Sequence, residues 1–200
     1  MRRPDRDLAP NVDPGREHLF GSSGWPPPPL VLDHLEVFRE FVARELVGGR
    51  LLEVGCGDGS LGRLVAESVS GVEVVGTDQA KHPQWEIHSD RLEFQEGSVY
   101  DLAFEPGSFD TVVVKDVLHH LPDPAGAVDA MATIARSRLL VIEANRYNPV
   151  SYIRMVRIAK HDHFSRAKLL RVLGDRDPRI ETVETHVWPE SMARIGRLHD

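Results

Sequence analysis

The chain has 200 residues, 41% hydrophobic and 28% charged, with a net charge of −7 at pH 7. That composition suits one globular domain with a sizeable core and argues against a dedicated nucleic-acid binder, which carries a basic surface. No run approaches a membrane-spanning helix, the Arg- and Asp-rich start lacks a signal-peptide core, and the single cysteine, Cys56, suits a reducing compartment. The expected location is cytoplasmic, with neither nucleic acid nor membrane as partner.

Residues 1–32 are rich in Pro, Asp, Arg and Gly and read as a flexible arm, with Pro26 to Pro29 extended. The domain is expected over 33–200. Asp33 is a candidate N-cap for a helix carrying Leu35, Phe38, Phe41, Val42 and Leu46 at helical spacing, ended by Gly48-Gly49. Leu51, Leu52 and Val54 then form a buried-strand pattern that stops at Gly55, Gly57 and Gly59, and Ser60 to Ser68 reads as a helix. Glycines at such a junction let the backbone turn tightly and let a ligand approach the main chain, and the helix start offers unpaired N–H groups. This predicts a nucleotide-type site. Cys56 belongs to that loop as a small turn residue and not as a nucleophile, since no neighbouring His or Lys would activate its thiol.

Further strands are predicted at Val72 to Thr77, Arg91 to Gln95, Thr111 to Val114 and Leu139 to Ile142, with a helix over Ala125 to Ala135. Strands alternating with helices imply an α/β, doubly wound, mostly parallel sheet, with ligands beyond the carboxyl ends of the strands. Asp78 stands at such an end, 19 positions after Gly59, where an acidic side chain can accept hydrogen bonds from ribose hydroxyls. That suits any adenosine ligand. Gly57 to Gly62 formally matches the dinucleotide fingerprint, but Gly55 takes the place directly after the strand, and read from Gly55 the third glycine is replaced by Ser60.

Glu53-x-Gly55-x-Gly57-x-Gly59 resembles motif I of the class I S-adenosylmethionine-dependent methyltransferases. The segment Val112 to Pro124, where a strand passes into a turn holding His119 and His120, is similar to the same family's post-strand-4 segment. The resemblance covers roughly Asp33 to Asn148. It implies a Rossmann-like fold and S-adenosylmethionine as cofactor, held by Glu53, Gly55, Cys56, Gly57, Gly59, Asp78, Gln79, Ser98, Val99 and Lys115. Ser98 stands where the family usually has Asp. The implied reaction is methyl transfer to an oxygen or nitrogen of a small-molecule acceptor, with His119 or His120 facing that acceptor and no metal required. Lys115 and Asp116 would border the ligand. Glu143-Ala144-Asn145 is similar to a Glu-Pro-Asn segment in part of the family, which would put Asn145, Tyr147 and Asn148 at the pocket mouth.

Residues 146–200 form the expected lid and C-terminal region. His161-Asp162-His163 has the spacing of a metal pair but reads better as a lid loop before a helix at Arg166 to Leu173, capped by Ser165. Ile180 to Trp188 predicts a sixth strand, ended by Pro189, with no strand pattern afterwards. The expected sheet therefore lacks the family's seventh strand, and its open edge would offer a homodimer surface. That shortening motivates a second reading, a non-catalytic S-adenosylmethionine-binding protein. A nicotinamide-dependent reductase is the third.

Overall fold

The computed structural model describes residues 29–87, 89–144, 164–184 and 189–196. In chain order the elements are α1 (Pro29–Glu45), β1 (Arg50–Val54), α2 (Ser60–Ser68), β2 (Glu73–Asp78), a 3-10 turn at Pro83–Glu86, and β3 (Leu92–Glu96). Then come β4 (Phe109–Lys115), a second 3-10 turn at Leu118–His120, α3 (Pro124–Ile134), β5 (Ala135–Ala144), α4 (Arg166–Leu173), β6 (Arg179–Glu184) and β7 (Pro189–Gly196). They build a seven-stranded sheet in the order β3-β2-β1-β4-β5-β7-β6. The first five of those pair in parallel, and β7 runs antiparallel to both neighbours.

Central strands are continuous apolar runs because successive side chains serve opposite faces, and both faces are covered. Leu51, Val113, Leu140 and Ile142 face α1 and α2, where Phe38, Phe41, Val42, Leu61 and Val65 complete one core. Leu52, Val112, Val114, Leu139 and Val141 point the other way, against Val128 and Met131 of α3 and Leu169 and Leu173 of α4. The α4 cap is the one expected: the Ser165 side chain accepts from the Lys168 N–H at 3.1 Å. Among the described residues no helix is long and apolar enough to cross a membrane.

Helix α1 begins four residues ahead of Asp33, at Pro29. Proline at a first helical position needs no N–H partner and already has a helical φ, so the end of the proline run starts the helix instead of preceding it.

The larger correction concerns the seventh strand. Pro189 does not end a strand but opens β7; the sixth strand is described over Arg179–Glu184, and residues 185–188 lie outside the described residues. β7 pairs with β5 from Arg138↔Gly196 to Ala144↔Glu190, and with β6 from Arg179↔Arg194 to Glu184↔Pro189. A proline is tolerated as the first residue of a strand. Only Ala193 and Ile195 of this strand are buried among its described side chains, so its apolar alternation is too brief to stand out in the sequence. The edge of β5 is thus filled within the chain, which removes the ground for a homodimer through it and for a shortened domain.

Ile195 is 1% exposed and packs in the α3–α4 core. Ile195→Ala is expected to lower the unfolding free energy by roughly 2–5 kcal/mol in urea denaturation, as for other buried Ile→Ala changes. A change under about 0.5 kcal/mol, the level of a surface position, would contradict β7 as a core strand.

Candidate functional site

The chain leaves β1 toward α2 and leaves β4 toward α3, which lie on opposite faces of the sheet although β1 and β4 are neighbours. A crevice opens where connections diverge in this way. Both of the segments singled out in the sequence stand at that crevice.

The first is the glycine loop. Gly55, Gly57 and Gly59 all have positive φ (71°, 54° and 80°), which is why every second residue is glycine. The Thr77 carbonyl accepts from the N–H groups of both Gly55 and Cys56, at 2.7 and 3.1 Å, tying the loop to the end of β2. Asp78 closes the tie: its Oδ2 accepts from Gly57 N–H at 2.8 Å and its Oδ1 from Gln79 N–H at 2.7 Å. A Cβ at Gly57 would meet nothing within 4 Å, so the loop faces open space there. That space is what a ligand lying on the main chain requires.

Glu53 lies beneath the loop, 3% exposed, with Oε2 accepting from Gly62 N–H at 2.9 Å. It therefore satisfies one of the orphan donors in the first turn of α2. Burial, reinforced by the Asp58 carboxylate, pushes its pKa up to about 8. Asp58 and Asp78 make this end of the sheet electronegative, which suits a cationic ligand. Burial and the nearby Glu53 carboxylate also push the Cys56 thiol up, so Cys56 is packing and not an activated thiolate.

The second segment is the histidine turn. Asp116 follows β4 with φ 54°, a left-handed conformation uncommon outside glycine, held by its N–H to the Ile142 carbonyl at 2.9 Å. Lys115 Nζ lies 2.5 Å from Asp116 Oδ2 and 4.7 Å from the ring centroid of Phe38 on α1. The next residues pack on the glycine loop: a Cβ at Gly55 would come within 2.2 Å of Val117 Cγ2. His119 turns inward, its side chain 2% exposed, with Nδ1 at 2.6 Å from Glu143 Oε2. Glu143 Oε1 takes the Leu118 N–H at 2.7 Å, so one buried carboxylate holds both ends of the turn. His120 is exposed, its ring centroid 3.9 Å from that of His119.

Asp116, His119 and Glu143 are also the described residues whose metal-ligating atoms come together, all within 4.8 Å. Here Lys115 neutralises Asp116 and the imidazole binds Glu143, so the three are stabilised by internal pairing. His161 to His163 and Asn145 to Asn148 lie outside the described residues.

The structure gathers Glu53 of β1 and Asp78 of β2 around the loop holding Gly55, Cys56, Gly57 and Gly59, with Lys115 at the adjoining end of β4 and His119 and His120 in the turn after it. Gln79 and Ser98 are exposed and Val99 is half-buried at the neighbouring ends of β2 and β3. Ser98 is engaged locally, its Oγ accepting from Tyr100 N–H at 3.3 Å and its carbonyl from Asp101 N–H at 3.0 Å. Sequence reasoning named Glu143 in its Glu-Pro-Asn-like segment without giving it a role, and missed Trp85. A lone carboxylate closing the apolar run of β5 was the available signal for Glu143, since such a charge is rarely buried without a task. Trp85, whose indole N–H donates to the Gly57 carbonyl at 2.8 Å, sits in an irregular segment without periodicity.

Residues 52–141 match a family model described as a methyltransferase domain. Over 120 residues the chain is 33% identical to the ubiquinone biosynthesis O-methyltransferase of Aeromonas salmonicida, covering 56% of this chain and 49% of that one. The protein of the same description from Xanthomonas euvesicatoria is 37% identical over 111 residues, or 51% of this chain and 46% of the relative. This chain thus spans about half the length of those relatives. Among solved structures, the magnesium protoporphyrin IX methyltransferase of Synechocystis with bound S-adenosylhomocysteine superimposes with a TM-score of 0.64 at 20% identity, over 82% of this chain and 84% of that one. A protein from Pyrococcus horikoshii gives 0.71 at 14% identity, over 91% and 98%. At these identities the structural likeness concerns the fold.

Glu53 carries a pH signature. Its folded-state pKa, about 8, lies above the ordinary 4.5, so the folded protein keeps a proton that the unfolded chain releases between those values. Its contribution to stability is full below about 4.5 and is lost as pH rises toward about 8. Denaturation of the ligand-free protein at a series of pH values is expected to show a fall of up to about 1.4 kcal/mol per pH unit in mid-window from this group. Glu53→Gln should flatten that slope; parallel profiles for the two proteins would refute the assignment.

Proposed function

We propose that the chain is a class I S-adenosylmethionine-dependent methyltransferase that transfers a methyl group from S-adenosylmethionine to an oxygen of a small-molecule acceptor, a reading supported by the methyltransferase-domain match over residues 52–141. The observation that carries this reading is the packing of the histidine turn on the glycine loop, with Val117 filling the space beside Gly55. It joins a cradle for an adenosine ligand to a proton-accepting side chain.

The residues present fit the cofactor. Gly57 leaves the main chain open, Asp78 stands where ribose hydroxyls would meet a carboxylate, and Asp58 with Asp78 supplies negative charge. Ser98 and Val99 would meet the adenine from the end of β3, and Gln79 from the end of β2. Bound there, S-adenosylmethionine supplies an electrophilic methyl on a sulfonium.

The protein's part is alignment and proton removal. An in-line displacement gains most from holding acceptor and methyl in register. Of the two histidines, His120 is the one whose ring is exposed, whereas His119 is enclosed against Glu143. His120 would take the proton that the acceptor's hydroxyl gives up, work for which a neutral imidazole nitrogen is suited. His119 acts through the turn: its bond to Glu143, with the Leu118 N–H on the same carboxylate, fixes where His120 stands. Oxygen is preferred to nitrogen because the sequence relatives are named O-methyltransferases.

The second reading, cofactor binding without turnover, has lost its main support with the presence of β7. Transfer of radiolabelled methyl from S-adenosylmethionine to a panel of hydroxylated small molecules separates the two. His120→Ala is expected to lower turnover about 10²–10⁴-fold, the usual contribution of a general base, with cofactor affinity unchanged. A folded protein that binds cofactor but labels nothing in the panel would favour the binding reading. Turnover unaffected by His120→Ala would remove the base from that residue.

A further inference from the structure

We propose that Trp85 is a positioning residue that latches the glycine loop, its indole N–H and the Asp78 carboxylate together fixing the Gly57 backbone that the cofactor lies on. The inference rests on the reading of that loop as the S-adenosylmethionine site.

Gly57 has a left-handed φ of 54°, and a Cβ there would touch nothing within 4 Å. Packing therefore does not hold this residue. Glycine, the residue with the most backbone freedom, keeps a defined conformation only if its polar groups are tied. Both are tied by side chains: the N–H donates to Asp78 Oδ2 at 2.8 Å, and the carbonyl accepts from Trp85 Nε1 at 2.8 Å. Asp78 comes from the end of β2 and Trp85 from the 3-10 turn beyond it, so Gly57 is clamped from two sides.

The latch is itself anchored to the sheet. Trp85 stacks on Phe94 of β3, with ring centroids 5.1 Å apart and planes 8° from parallel. Phe94 fills space left by two glycines: a Cβ would approach its ring to 2.2 Å at Gly59 and 2.7 Å at Gly76. The guanidinium of the buried Arg63 lies 5.9 Å from the Phe94 ring centroid, and its Nη2 donates to the Gln84 carbonyl at 3.3 Å. The His82 side chain caps the same 3-10 turn by accepting from Gln84 N–H at 3.2 Å. Contacts thus run unbroken from β3 and α2 through Phe94 and Trp85 to Gly57. The exposed Lys81–Glu86 pair on this turn adds little, as exposed pairs generally do. Trp85 also lines a cleft of about 350 Å3 with Lys81, Ile87 and Glu96, so the stack and the indole bond are what keep the ring in place.

Trp85→Phe removes the N–H and keeps a ring for the stack, whereas Trp85→Ala removes both. In the full chain, Trp85→Phe is expected to keep the wild-type unfolding midpoint, to speed amide hydrogen exchange at Gly57 and Cys56 in the ligand-free protein, and to weaken S-adenosylhomocysteine binding about five-fold, the effect of one net hydrogen bond. Trp85→Ala should weaken it further. A role in packing alone predicts that the Phe variant matches wild type in both exchange and affinity, and that result would overturn the proposal. Faster exchange with unchanged affinity would overturn it too. If wild type binds no S-adenosylhomocysteine, the cofactor reading fails on its own; exchange at Gly57 then still decides whether the indole holds the loop.

Discussion

The parallel pairing of β1 with β4, from Leu51↔Thr111 to Val54↔Val114, is the constraint on which the rest of the site depends. It makes neighbours of two strands whose connections depart to opposite faces, so no helix can cover their shared carboxyl ends. The pairing is secured at the other end by Asp110, whose Oδ2 accepts from Gly49 and Arg50 N–H at 3.0 and 3.1 Å and whose Oδ1 pairs with Arg136 at 2.9 Å. A Cβ at Gly48 would come within 2.3 Å of that carboxylate, so the turn before β1 is glycine because Asp110 fills its space. With β1 and β4 in register, the residues one step beyond them, the glycine loop and the histidine turn, are forced into contact.

Two buried carboxylates then shape the crevice in different ways. Glu53 sits under the loop and caps α2 through the Gly62 N–H, while burial, with Asp58 and Asp78 nearby, weakens its acidity. The side chain therefore keeps its proton to about pH 8, and a cation brought close to it would favour the proton's release. Glu143 uses both oxygens inside the protein, on Leu118 N–H and on His119. It stabilises a turn whose first residue, Asp116, adopts a left-handed backbone at the end of a strand. Such strain persists where surrounding contacts over-determine it, and it is concentrated at functional sites.

The elements that were legible in the sequence are those whose signal is local. The glycine spacing, the apolar runs of β1, β4 and β5, and the Ser165 cap are each written in a few adjacent residues, and each stands as read. Where meaning depends on a distant partner, the sequence was silent. β7 is a strand because β5 offers it an edge over Arg138 to Ala144, and nothing between Pro189 and Gly196 announces that. Asp78 was legible as an acidic strand-end residue, but its bond to Gly57 requires the loop to fold back by 21 positions. Trp85 and Glu143 act across 28 and 25 positions, and no periodicity encodes such contacts. The resemblance put His120 at the commoner family position without separating the roles of the two histidines, which differ in the structure because Glu143 lies beside His119.

Calorimetric titration of the full chain with S-adenosylmethionine, S-adenosylhomocysteine and reduced nicotinamide adenine dinucleotide tests the central claim most directly, because all three ligands carry an adenosine for Asp78 and only the first two suit a loop without a pyrophosphate. The account predicts saturable binding of both sulfur ligands, sharply weakened by Asp78→Ala, and no comparable binding of the dinucleotide. Preference for the dinucleotide, or failure of a folded protein to bind either sulfur ligand, would contradict it.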